Sequence, residues 1–342
     1  MRPIRLATAP RAPRALLSLV LGAPPTAVGE ALALAEQLGA SNPAPGRAGT
    51  RDLWEALATL GAYDLALARV VEPHLDAVAI MAAADSALAG SWGVFAAEGG
   101  DDPLRARRVG EGWLLTGTKP WCSLADRLDR ALVTAGVDEA GERRLFAVAL
   151  ADARADGTAL ADTSAWVARG LTEIPSGSVH FKDAPATAVG DPDWYTARPG
   201  FAWGGIGVAA CWFGGAVGVA RTVRAAVRER HDPHGEAHLG AIDEAVQSAR
   251  RALEEAAALA EAPTPLDREQ VRLLAKRVRA TVARCVDEVL HRAGRALGPA
   301  PLALDAVHAK RVADLQLYVR QHHAERDLAS LGRSIANGGD PW

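Results

Sequence analysis

Residues 112–125 read GWLLTGTKPWCSLA. Trp113, Leu114 and Leu115 are apolar, and Gly117 between two threonines interrupts the run, so the first half reads as a strand ending in a tight turn. Lys119, Pro120, Trp121, Cys122 and Ser123 follow at once. A tryptophan two residues before a small hydroxyl side chain suits a flat aromatic ligand. The indole covers one ring face, and the hydroxyl bonds a heteroatom on the ring edge. Spacing alone favours a plainer alternative, a hairpin whose tryptophan belongs to the core.

Composition bounds what surrounds this hairpin. The chain has 342 residues, a net charge of −3 and 49% hydrophobic residues, enough for two or three domains with cores of their own. Neither a basic excess pointing to nucleic acid nor an acidic block pointing to disorder is present. No uninterrupted apolar run of about 20 residues is expected to span a membrane. Three cysteines, Cys122, Cys211 and Cys285, lie far apart without a CxxC pair. That argues against a zinc ribbon or a disulfide framework and for a reducing, cytoplasmic setting. Residues 1–29 carry arginines and no acid; a transit peptide has that character, but an Ala/Arg-rich bacterial chain is the preferred reading.

Outward from the hairpin the pattern changes twice. Residues 26–80 read as helices, broken by Gly39 and by Ser41-Asn42-Pro43-Ala44-Pro45-Gly46, with Pro73 as a kink. Within them Glu72, His74 and Asp76 read as a solvated or interdomain face. From Ser91 to about Ala186, β-type runs at 92–96, 104–109, 113–118, 130–135, 145–150 and 178–181 alternate with charged turns such as Asp138-Glu139-Ala140-Gly141-Glu142. This spacing predicts a small antiparallel barrel or sandwich. A glycine-rich apolar linker over 201–218 leads into helical patterns at 216–230, 242–261, 266–292 and 305–331, a four-helix bundle. Gly214, Gly215 and Gly218 permit close helix contact there. The predicted divisions are a helical domain over 1–90, a β domain over 91–190 and a bundle over 200–342.

Two other motifs carry less. Gly205-Ile206-Gly207-Val208-Ala209-Ala210 fits G-x-G-x-x-A, but no strand precedes it and no parallel strand follows, which rejects a dinucleotide site. His231, His234 and His238 are the densest set of metal-ligand types, yet Pro233 and Gly235 argue against one helix presenting them together, and no metal is expected.

The hairpin resembles the flavin segment of the acyl-CoA dehydrogenase family, where Gly-x-Lys is followed by Trp-x-Thr-Asn-Gly. The order helical, β, four-helix bundle is that family's α+β multidomain layout, so the resemblance spans nearly the whole chain. It implies FAD as cofactor, with Trp121 against the flavin ring and Ser123 at its N5 side; Leu124-Ala125 replaces the usual Asn-Gly. Ala97-Glu98 stands where the family has Thr-Glu, and the following Gly99-Gly100-Asp101-Asp102-Pro103 lacks the Gly-Ser-Asp that contacts acyl-CoA. Near the bundle's first turn, His231 and His234 stand where an Arg and a Phe reach the partner subunit's FAD, with Arg230 as an alternative cation.

The resemblance further implies an oxidoreductase acting on an acyl thioester or related small molecule, assembled as a homodimer or homotetramer, with its electron acceptor left open. The family's Tyr-Glu-Gly-Thr in the last helix is absent. Arg320 falls at the Glu position and His322 at the Thr position, and arginine cannot act as a base. His322 is therefore the expected base and Arg320 the expected anion holder. Helical spacing puts Arg320 and His323 on one face and His322 with Arg326 on another; the alternative is a solvent-facing helix with i,i+4 ion pairs. Two further readings stay open: a flavin-dependent monooxygenase or oxidase on the same fold, and a non-catalytic paralogue serving as a scaffold.

Overall fold

The computed structural model describes residues 1–7, 15–86, 89–137 and 141–338. Asp138, Glu139 and Ala140 of the expected charged turn lie outside the described residues. Helices α1 (Ala15–Gly22), α2 (Val28–Gly39), α3 (Thr50–Tyr63) and α4 (Leu65–Ala83) come first. Buried polar groups on α3 hold the arginine-bearing N-terminal segment. Thr59 accepts from the Ile4 N–H at 2.9 Å, Glu55 from Leu6 at 2.8 Å and Asp52 from Leu16 at 3.0 Å. Asp64 caps α4 by accepting from Ala66 and Leu67.

The middle of the chain is one seven-stranded sheet. Its strands are β1 (Trp92–Phe95), β2 (Arg105–Val109), β3 (Gly112–Ser123), β4 (Arg130–Gly136), β5 (Arg143–Val148), β6 (Ala159–Asp162) and β7 (Ser176–Val189). Pairing runs β4-β2-β3-β7-β5 and returns from β5 to β4, which closes a barrel. The long ladders are antiparallel as expected, while β4 takes β1 and the end of β2 in parallel. In this region two elements escaped the sequence reading, β6, whose four residues are too short to show alternation, and helix α5 (Leu150–Ala155), as did α1 before it.

The bundle region differs more. After a short α6 (Trp194–Ala197), helix α7 spans Gly200–Arg230, so the expected linker over 201–218 is helix. Its glycines serve interhelix approach. A Cβ on Gly214 would lie 2.2 Å from the Ala58 carbonyl oxygen, and one on Gly61 would lie 2.6 Å from that of Cys211. The backbones of α3 and α7 therefore touch, and the missing side chains that made this stretch look flexible are what the contact requires. By length and composition α7 could also cross a membrane, contrary to the sequence reading, but 72% of its apolar window is buried in this fold.

Helix α8 (Pro233–Ala260) begins at Pro233 and carries Gly235, His234 and His238 in one helix, contrary to the expected interruption, with His231 left before it. Pro233 fills the first turn, where its missing N–H costs nothing, and Asp232 caps the helix. Helix α9 covers Arg268–Leu297 and opens with a capping box between Asp267 and Gln270.

The expected single last helix is divided into α10 (Ala300–Leu304), α11 (Ala306–Tyr318), a 3₁₀ turn (Val319–Gln321) and α12 (Glu325–Ala336). Burial of Tyr318, Val319 and His322 holds the break, and Asp327 accepts the His323 N–H at 3.0 Å to start α12. The faces assigned by continuous helical spacing across 318–326 therefore do not exist. One apolar core runs through all three regions, from Leu6 and Trp54 through Phe95 and Phe146 to Trp212 and Val286.

Candidate functional site

Period-2 alternation along β3 puts Lys119 and Trp121 on the same face. Lys119 is indeed inside, 1% exposed, but Trp121 is 61% exposed. Pro120 supplies the reason. It cannot donate to the ladder, and the register passes from Lys119–Val179 to Cys122–Gly177, leaving one extra residue on β3. Trp121 absorbs that bulge with a left-handed backbone, φ 59°, and its indole turns outward while Cys122 turns in. Trp166 meets it edge-on with ring centroids 6.4 Å apart. An exposed indole held by a bulge and squared off by a second indole is a ready stacking surface.

Ser123 sits beside it in a directed hydrogen-bond chain. The Ser176 hydroxyl donates to the Ile174 carbonyl at 3.1 Å, so Ser123 donates to Ser176 at 2.6 Å. Ser123 accepts in turn from Nη2 of Arg69 at 3.0 Å. In this arrangement the serine donates its own proton to Ser176, and the N–H donors at that corner belong to the largely buried Arg69 guanidinium.

Arg69 connects the corner to a cleft. Its Nη1 lies 3.9 Å from a carboxylate oxygen of Glu72, one turn further along α4. Glu72, Asp76, Arg272, Lys276, Arg279, His322 and His323 are among the residues lining a cavity of about 570 Å³. Two cation–aromatic contacts lie behind the cleft, and of their members Arg279 lines it. Arg69 lies over the Tyr318 ring at 5.5 Å, Arg279 over Trp212 at 4.7 Å, and the two rings meet edge-on at 6.3 Å.

Glu72 is the group the sequence reading passed over. It is buried, and that burial lifts its carboxyl to about 7 against the opposing charge of Arg69. The carboxyl is therefore poised to exchange a proton at neutral pH. His74, its neighbour in sequence, faces away and accepts the Trp92 N–H at 3.2 Å. Asp76 pairs with Arg198 at 3.0 Å. No local sequence signal separates these three roles, because only the direction of α4 against the sheet and α7 does so.

The residues nominated from sequence are scattered. His322 is buried in the cleft wall, and burial lowers its imidazole pKa, which leaves it neutral and able to accept a proton. Arg320 is exposed and points to Asp287 on α9 at 2.6 Å, away from the cleft lining. Glu98, though exposed, is engaged: Lys119 donates to it at 3.0 Å and Thr134 at 2.7 Å. Ala97 is half-buried after β1. Arg230, His231 and His234 are exposed at the α7–α8 corner, some 25 residues of helix from the cleft end of α7, roughly 38 Å. Ser123, next but one to Trp121, thus connects through Arg69 to Glu72, which shares the cleft lining with His322, whereas Arg320 and the α7–α8 corner do not join that cleft within the chain.

No family model and no curated protein matches this sequence. Solved structures do match over nearly its full length. KijD3, solved in complex with FMN and dTDP-3-amino-2,3,6-trideoxy-4-keto-3-methyl-D-glucose, has a TM-score of 0.79 at 18% identity, covering 98% of this chain and 96% of that one. Dibenzothiophene monooxygenase (TdsC) from Paenibacillus sp. A11-2 has a TM-score of 0.70 at 17% identity, covering 95% and 97%. Glutaryl-coenzyme A dehydrogenase, in its glutaryl-CoA complex, has a TM-score of 0.64 at 18% identity, covering 82% and 79%. The chain therefore has the acyl-CoA dehydrogenase fold.

Proposed function

We propose that this protein is a flavin-dependent oxidoreductase that uses molecular oxygen to oxidise a small polar substrate held in the cleft between α4, α7, α9 and the α11–α12 connection. The observation that carries this reading is a junction: one guanidinium, Arg69, bridges Ser123 at the aromatic corner and Glu72 inside the cleft. The residues present fit a flavin. Trp121 offers an open indole face, Trp166 limits the ring's position, and Arg69 offers N–H donors at the ring edge. Bound there, a flavin supplies the electron chemistry and the activation of oxygen.

The protein's own share is proton handling and positioning. Glu72 holds or releases a proton near pH 7, and neutral His322 is a second acceptor in the same wall. The charged lining and the shortened loop at residues 99–103 support a polar substrate over a long acyl chain. FMN in KijD3 and a monooxygenase among the structural neighbours agree with it. FAD, the cofactor expected from sequence, additionally needs Arg230, His231 and His234 of a second copy to meet its adenylyl half, in a homodimer or homotetramer. FMN needs no such contact. Three buried free thiols suit a reducing, cytoplasmic setting.

A second reading, dehydrogenation of an acyl thioester with another electron acceptor, is favoured by Glu72 itself. It is a buried carboxyl of raised pKa beside the corner, and such a group can remove a substrate proton. One experiment separates the two. The protein is purified, its visible spectrum recorded, and the ligand released and weighed as FMN or FAD. It is then reduced anaerobically and mixed with air. Fast reoxidation supports the oxygen-using reading; slow reoxidation with rapid anaerobic bleaching by an acyl-CoA supports the second. Protein that stays colourless when FMN and FAD are added refutes both and leaves the scaffold.

A further inference from the structure

Leu171 is held in a conformation that leucine rarely adopts. Its backbone is left-handed, φ 51°, where a Cβ crowds the following carbonyl, and the residue is buried. Its N–H donates to Oδ1 of Asp314 on α11 at 2.6 Å, a buried, charge-assisted hydrogen bond between segments 143 residues apart. The preceding Gly170 lies against the same helix, since a Cβ there would overlap the Ala313 carbonyl. The chain at 170–171 is therefore seated directly on the backbone of α11.

One ammonium fastens this seat to the rest of the molecule. Oδ2 of Asp314 accepts from Lys310 at 2.6 Å, and Lys310 also pairs with Glu173 at 2.9 Å and with Asp64 at 3.0 Å. Asp64 is the cap of α4, the helix that carries Arg69. Lys310 thus joins α11, the segment following Leu171 and the start of α4.

The second indole of the aromatic corner hangs from the seat. The Leu171 carbonyl accepts from the Trp166 indole N–H at 3.3 Å and from the Ile174 N–H at 3.0 Å. Residues 163–169 are exposed or half-buried throughout, Trp166 among the half-buried ones. A half-buried ring can pivot on its side-chain torsions, and the single donor of this indole is spent on Leu171.

We infer that Asp314 is a positioning residue for the flavin corner: through the left-handed Leu171 it fixes the Trp166 indole in the orientation that confronts Trp121. Asp314 itself is buried and does not line the cleft. The inference rests on the corner being the flavin site.

The test is a double-mutant cycle read by flavin affinity. FMN and FAD are each titrated against the purified full chain and followed by flavin fluorescence. Asp314→Ala should weaken binding about tenfold, and Asp314→Asn, which keeps an acceptor for the Leu171 N–H, should remain within about threefold of wild type. In a Trp166→Ala background the same Asp314→Ala exchange should cost less than about twofold, because the ring through which it acts is gone. A merely structural role would carry its full penalty into that background. Trp166→Phe serves if Asp314→Ala does not melt cooperatively. It keeps a ring, loses only the N–H held by Leu171, and should weaken binding about threefold. Hydrogen exchange of the flavin-free protein gives a second reading: the segment around Leu171 should exchange faster in Asp314→Ala while α9 keeps its protection.

Unchanged flavin affinity in Asp314→Ala, an equal penalty in both backgrounds, or wild-type affinity in Trp166→Phe overturns the inference. So does unaltered exchange around Leu171. If Trp121→Ala and Trp166→Ala both leave affinity unchanged, the corner is refuted and this inference with it. If they weaken binding and Asp314→Ala does not, the inference fails alone and the proposed function stands.

Discussion

Replacing Glu72 with glutamine removes a buried carboxyl while keeping its shape, and the consequence for stability has a definite sign. In the folded protein the carboxyl holds its proton up to about pH 7, against an ordinary value of 4.5. The folded state thus binds the proton more tightly than the unfolded chain. The associated stability is fully present below pH 4.5 and is lost as pH rises through 7. At pH 8 the wild-type protein bears a penalty of about 3 kcal/mol that the glutamine variant lacks, whereas at pH 4 the two are nearly equal. For a chain of this length that difference corresponds to about 4 °C in melting temperature. Thermal melting of both proteins from pH 5.5 to pH 8 measures it. The variant should gain on the wild type by about 2 kcal/mol across that interval. A gap that does not change with pH, or a variant less stable at pH 8, refutes the assignment of Glu72 as a buried group that titrates near neutrality. Turnover should fall roughly 100-fold in the same variant if Glu72 moves the proton.

Other expectations concern single contacts. Trp121→Ala should weaken flavin binding on the order of tenfold while leaving the melting temperature nearly unchanged, because the indole is exposed; fluorescence titration and melting read the two effects, and unaltered flavin affinity would exclude Trp121 from the site. Gly214→Ala forces a Cβ to 2.2 Å from the Ala58 carbonyl oxygen and should cost about 1–3 kcal/mol or more, whereas Gly240→Ala, with open space around it, should stabilise α8 by about 0.5–1 kcal/mol. Denaturant unfolding of the two variants should move in opposite directions. Arg320→Ala removes an exposed ion pair with Asp287 and should change stability by less than about 1 kcal/mol, with turnover unaffected. A large loss of turnover there would return Arg320 to the active site.

Periodicity and turn chemistry made the layout legible without any structure: helices, then strands, then long helices, with Trp121 and Ser123 on the strand proposed to hold the flavin. Those signals are local, carried by the residues that form each element. The sequence pattern could not locate Trp121's side chain, because alternation places it inside with Lys119. The bulge at Pro120, fixed by pairing with a strand some 55 residues on, puts it outside. Likewise the glycines of residues 201–218 look like a linker until α3 lies against them. The last helix looks continuous until Tyr318, Val319 and His322 are buried and break it.

Glu72 marks the same boundary. Its spacing on α4 with His74 and Asp76 was readable, but its raised pKa comes from burial, and its reach to Ser123 through Arg69 comes from how α4 packs beside the sheet. Chain order and element type follow from local sequence, since backbone preference and hydrophobic period act over a few residues. Which carboxyl is desolvated, and which side chains share the cleft with it, depends on groups brought together from distant segments, and only the tertiary structure decided that.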